Sequence, residues 1–159
     1  MSEGKKRIKG VLTALTLIFG SVVMGHPIND YYKTHKNDQG MEARTVPPKM
    51  ASLLVDEDYP EAIDVLKSLT TLKYLNYYGD EDKIQHYAQK AISAKGNYTG
   101  LLNEIDGNRK LSVFGIKKKG TVRKLIAVVQ TKTQFILLIG KGRLTDQHIR
   151  SLPALSKEI

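Results

Sequence analysis

Three regimes of hydrophobic spacing divide this chain. Residues 11–24 are an uninterrupted apolar run without a charge. Residues 41–95 alternate short apolar clusters with turn signals, and from residue 98 the spacing shifts to a period of two. The helical period is clearest at 81–95, where Ile84, Tyr87, Ala88, Ala91 and Ile92 fall at i, i+3, i+4, i+7 and i+8 and make one buried stripe. Asp80 stands at its N-cap, Glu81 and Asp82 suit the positive helix end, and Gly96 supplies the stop. Four strands are predicted beyond it, at 100–105, 111–116, 123–130 and 134–139. Their turns are marked by Asp106-Gly107-Asn108, by residues 117–120 and by Thr131-Lys132-Thr133. Residues 125–129 and 135–139 are nearly continuous apolar runs, which predicts central strands with both faces at least partly covered.

Ahead of the long helix, residues 42–46 read as a short strand that Pro47-Pro48 must end, followed by a short helix over 48–55. Asp58 with Glu61 three residues later resembles a capping box for a second short helix carrying Ala62, Ile63, Val65 and Leu66. Residues 69–78 favour a strand by composition. Leu69, Thr71, Lys73, Leu75 and Tyr77 share one face, with Thr70, Leu72, Tyr74, Asn76 and Tyr78 on the other. Thr145 caps a last helix over 146–155, with Leu144 and Ile149 as a hydrophobic staple. Residues 26–40, broken by Pro27, Asn29, Asn37, Asp38 and Gly40, read as a flexible linker or loosely ordered arm. The order β-α-α-β-α-β-β-β-β-α predicts a single α+β domain over 41–159. It has a mainly antiparallel sheet, a C-terminal meander and helices packed on one face.

The N-terminal run gains its meaning from its flanks. Lys5, Lys6, Arg7 and Lys9 precede it and Gly25 follows it, the three parts of a secretory signal peptide. Its 14 residues fall short of the roughly 20 that span a bilayer. Cleavage after Gly25 and a periplasmic or secreted protein are expected, the alternative being a membrane anchor formed by residues 11–24. The chain carries 25 basic and 16 acidic residues, a formal net charge of +9. Four of those cations and one carboxylate lie in the first 25 residues, leaving 21 against 15 and a net +6 for the rest. That excess suits anionic partners, though basic surface residues commonly serve solubility alone. There is no cysteine, which removes disulfides, thiol catalysis and a lipidated N-terminal cysteine.

The strand at Ser68-Leu69-Thr70-Thr71-Leu72-Lys73-Tyr74-Leu75 with its acid-capped helix, the strand series over 111–130, and the segment 135–145 leading into the last helix together resemble a bacterial family. It is domain-of-unknown-function family 4252, and the resemblance covers about residues 41–155. It implies a small exported protein or lipoprotein with this element order, and it supplies no catalytic residues. This chain departs from the lipoprotein members in having no cysteine to lipidate.

Candidate chemistry is sparse. His26, His35, His86 and His148 do not cluster at metal-ligand spacing and read as surface histidines, so no metal is expected. The carboxylates at 56–58, 61 and 80–82 sit at helix starts, where capping and the helix dipole account for them. No nucleophile elbow and no complete phosphate loop is present, so no cofactor is expected. Gly140-Lys141-Gly142-Arg143 reads as a strand-to-helix loop whose Lys141 and Arg143 could hold an anion weakly. Lys117, Lys118 and Lys119 form a basic hairpin tip, a candidate contact for anionic head groups or a polyanion. Nucleic acid is not expected, because Phe114 is the only aromatic near those charges. Tyr74 and Tyr78 present two rings on one strand face, a candidate partner contact.

The expectation is an exported cell-envelope protein acting as a non-catalytic binding or interaction module. Its partner would be an envelope protein or an anionic surface, and it would touch membrane only through its signal or anchor segment. Two alternatives remain open: an envelope hydrolase or small-ligand enzyme with an unfamiliar site, and a membrane-anchored sensor component.

Overall fold

Six strands pair antiparallel throughout in the computed structural model, which describes residues 26–156. They are β1 (Met41–Val46), β2 (Leu69–Tyr78), β3 (Thr99–Asp106), β4 (Arg109–Lys118), β5 (Thr121–Gln130) and β6 (Gln134–Leu144), in the order β1-β2-β6-β5-β4-β3. The helices among the described residues are α1 (Pro27–His35), α2 (Pro48–Leu54), α3 (Pro60–Lys67), α4 (Glu81–Ser93) and α5 (Asp146–Ser156). The expected signal peptide at 1–25, its cleavage point and the alternative anchor at 11–24 lie outside the described residues.

The class is the α+β one that the sequence predicts, and the late meander is present as β3 to β6. The helices, however, take both faces of the sheet rather than one. Successive side chains of a strand point to opposite faces. Ile126, Val128, Phe135, Leu137 and Ile139 pack with Ile28, Tyr31 and Tyr32 of α1 and with Ile84, Ala88 and Ala91 of α4. Leu125, Ala127, Val129 and Ile136 pack on the other side with Val65 of α3 and with Ile149 and Leu152 of α5. The apolar runs of β5 and β6 leave neither face polar, so each face takes its own helical layer.

Helix α1 replaces the expected linker. Ile28, Tyr31 and Tyr32 fall at i, i+3 and i+4, Pro27 occupies the first turn where its missing N–H costs nothing, and Ile28 is wholly buried. The turn-prone residues serve its C-terminal exit, where Gly40 takes a positive φ of 79°. Asp80 caps α4 as expected by accepting from the Lys83 N–H at 3.1 Å, and the Thr145 hydroxyl accepts from the His148 N–H at 3.3 Å. Helix α3 differs: Tyr59 takes the N-cap position without a side-chain cap, so Asp58 does not form the predicted capping box.

Strand β6 runs five residues past its expected end, which turns Gly140-Lys141-Gly142-Arg143 from a loop into strand. Glycine at 142 permits a close approach there: a Cβ on it would lie 2.2 Å from the Ser68 carbonyl oxygen. The pairing of β6 shifts register on both sides, between Leu69 and Thr71 of β2 and between Val122 and Lys124 of β5. These irregularities lie at the same end of the sheet as the β4–β5 hairpin.

Candidate functional site

Three segments converge at that end, and each contributes cations. Lys67 and Ser68 close α3, Arg123 and Lys124 open β5, and Lys141, Gly142 and Arg143 belong to the end of β6. With Thr70 they line an open trough of about 620 Å³. The register shifts re-aim the side chains there, as bulges do. The Arg143 N–H donates to the Ser68 carbonyl at 2.9 Å, and the Thr70 hydroxyl donates to the Lys141 carbonyl at 3.2 Å. Lys67, Lys141 and Arg143 are exposed, while Arg123 and Lys124 are half-buried. Among the described residues none of these five cations has a carboxylate within ion-pair distance.

A second hollow of about 370 Å³ shares Lys141 with the trough and adds Asn29, Lys33, Thr45, Thr71 and Lys73. Burial and the neighbouring Lys33, Lys141 and Lys36 charges hold Lys73 below the usual lysine range. Burial, then the charges of Lys124 and Lys141, likewise lower His26, whose Nε2 accepts a hydrogen bond from the Lys124 ammonium. A bound anion would reverse the charge part of both shifts.

Of the residues singled out in the sequence, Lys141 and Arg143 meet in the trough, on strand instead of the expected loop. Lys117, Lys118 and Lys119 lie at the same end, on the β4–β5 hairpin, with Lys117 ion-paired to Asp146 at 3.2 Å and Lys118 and Lys119 exposed. Tyr74 and Tyr78 share a strand face but stand apart from the cations. Tyr74 is half-buried and donates to Glu42 at 3.4 Å, whereas the exposed Tyr78 accepts from the Gln134 amide at 2.9 Å. Sequence reasoning missed Lys67, Arg123, Lys124 and His26. The signal available was the charged pair Arg123-Lys124 at the head of an apolar strand, but only the β5–β6 pairing places it beside Lys141.

Two other polar clusters join helices. His148 Nε2 faces the Asp64 carboxylate at 3.0 Å and the Ser68 hydroxyl at 3.2 Å, and its Nδ1 accepts from the Thr145 N–H at 3.0 Å. A relay needs the carboxylate and the nucleophile on different ring nitrogens. Here both share Nε2, so the cluster ties α3 to α5. On the other face His35 meets Asp38 at 2.7 Å, and Asp38 also accepts from the Tyr87 hydroxyl at 2.9 Å. The His35 bond first, then the Tyr87 bond, holds the Asp38 carboxyl below its usual range against the opposing effect of burial. Three of the four histidines thus have structural partners, in contrast to the idle surface groups expected. Among the described residues no three His, Asp or Glu side chains gather to hold a metal, and no helix is long and apolar enough to cross a membrane.

These features define an α+β domain, a six-stranded antiparallel sheet between helical layers, with a basic trough at one end of the sheet. The chain belongs to the family described as Domain of unknown function (DUF4252), which matches residues 31–152. No curated protein and no solved structure matches it.

Proposed function

We propose that this chain is an exported, non-catalytic binding module of the cell envelope, and that its trough holds an anionic partner. The observation that carries the reading is the gathering of Lys67, Arg123, Lys124, Lys141 and Arg143 around one hollow without a carboxylate among the described residues. Clustered cations repel one another, and a polyanion relieves that repulsion. The export half of the reading rests on the basic head, apolar run and Gly25 of the first 25 residues.

Retention on a heparin column tests the trough. The double variant Lys141→Glu/Arg143→Glu is expected to elute at clearly lower salt than Lys83→Glu/Lys132→Glu, which changes net charge equally at exposed positions toward the other end of the sheet. Equal elution of the two variants would remove the trough from the reading. Fractionation of the host with intact-mass measurement tests export: a soluble extracytoplasmic species beginning at His26 is expected, and full-length protein in the cytoplasm would refute it.

A further inference from the structure

We infer that the trough end of the sheet is a membrane-docking surface for anionic phospholipid, which seats the domain with its β4–β5 hairpin toward the bilayer. The inference rests on the trough reading and names its partner. Three observations carry it. First, the cations extend beyond a pocket. The trough is wide and open, and exposed Lys118 and Lys119 project at the same end. A surface of this kind fits an array of head groups better than one small anion. Second, the charge is polarised along the strands. The opposite end carries Asp38, the Asp80-Glu81-Asp82 start of α4 and Asp106, interspersed with cations, whereas the carboxylates near the basic end, Asp64 and Asp146, are taken up by His148 and Lys117, so an anionic plane attracts the basic end preferentially.

Third, the chain enters the fold at this end. His26 bonds to Lys124 and sits edge-on to Tyr98 with ring centroids 5.6 Å apart. Gly25 and the apolar run 11–24 precede it directly in sequence. If the leader is cleaved after Gly25, a new amino group adds positive charge at this end. If it is kept, the tether joins the same end of the domain to the bilayer.

The chain has no cysteine, so single labels can be placed cleanly. Lys118→Cys, at the basic end, and Lys132→Cys, on the β5–β6 turn at the far end, would each carry a polarity-sensitive fluorophore on the species the host yields. Phosphatidylglycerol-containing vesicles are expected to shift the label at 118 to the blue and shield it from an aqueous quencher. The label at 132 should stay unchanged, and the response at 118 should fade at high salt. Adding Lys141→Glu/Arg143→Glu is expected to weaken vesicle binding at least tenfold. An equal response on pure phosphatidylcholine, an equal or larger response at 132, or no response overturns the inference. If heparin retention still depends on the trough while vesicles give no response at 118, the binding reading stands and the membrane does not. Failure of both removes both.

Discussion

Gly142→Ala probes the contact that builds the trough. The added Cβ would lie 2.2 Å from the Ser68 carbonyl oxygen, 2.7 Å from the Leu69 Cα and 3.0 Å from the Ser68 carbonyl carbon. All three are backbone atoms, so no side-chain rotation relieves the overlap. An unstrained carbon–oxygen contact is about 3.3 Å or longer, so β6 must draw back from the start of β2 by roughly 1 Å. That movement strains the 2.9 Å bond from the Arg143 N–H to Ser68. Overpacking of this kind costs about 1–3 kcal/mol, and the weakened bond adds up to about 1 kcal/mol. The expected loss is about 1–4 kcal/mol, against the roughly 5–15 kcal/mol that stabilises an ordinary domain.

Urea unfolding followed by far-UV circular dichroism measures it, provided the denaturant slope is unchanged. Gly100→Ala is the control, because nothing lies within 4 Å of a Cβ there, and it should stay within about 1 kcal/mol of the parent. The trough should respond too: Lys67 and Arg143 move apart, so Gly142→Ala should leave heparin at lower salt. A Gly142→Ala protein within about 0.5 kcal/mol of the parent would refute close approach as the reason for glycine at this position.

Ile28→Ala should cost about 2–5 kcal/mol in the same assay, because Ile28 is wholly buried between α1 and the sheet; a loss below about 0.5 kcal/mol would make α1 a dispensable arm after all. Tyr87 is pushed up to about 12 by burial first and by its bond to the Asp38 carboxylate second. The folded chain therefore keeps a proton that the unfolded chain releases near pH 10, so this contribution is full below about pH 10 and is lost above it. Thermal midpoints between pH 8 and 11 should fall more steeply for the parent than for Tyr87→Phe, and equal slopes would count against the buried phenol.

What could be read from the sequence follows how far each pattern runs. Helix α4 repeats its stripe over two turns with a carboxylate cap, and β5 and β6 are long apolar runs, so their type was legible. Helix α1 has the same kind of stripe, but Ile28, Tyr31 and Tyr32 span barely one turn among residues that favour turns. Glycine misled at 142, because composition cannot separate a turn from a close approach of two backbones. The expected single helical layer failed for a related reason: apolar runs reveal that two faces are buried without revealing which helix covers which. Lys141 and Arg143 could be singled out in the sequence as candidate anion contacts, yet Lys67, Arg123 and Lys124 come beside them only through strand pairing.

Four ion pairs form elsewhere among the described residues. Arg44 meets Glu42 at 2.7 Å, Lys117 meets Asp146, His35 meets Asp38, and His148 meets Asp64. The trough is treated differently. Burial first, then the charges of Lys124 and Lys141, lowers His26, and burial first, then Lys33, Lys141 and Lys36, lowers Lys73. A lowered pKa on a basic group means that the folded chain binds its proton less readily than the unfolded one. Acidification through the ordinary histidine range therefore costs stability at His26. A single carboxylate at position 70 or 123 would relieve that repulsion, and neither position carries one. The trough gathers five cations with no carboxylate in ion-pair distance among the described residues, close to where the chain enters the fold, and an anion from outside would relieve the repulsion among them.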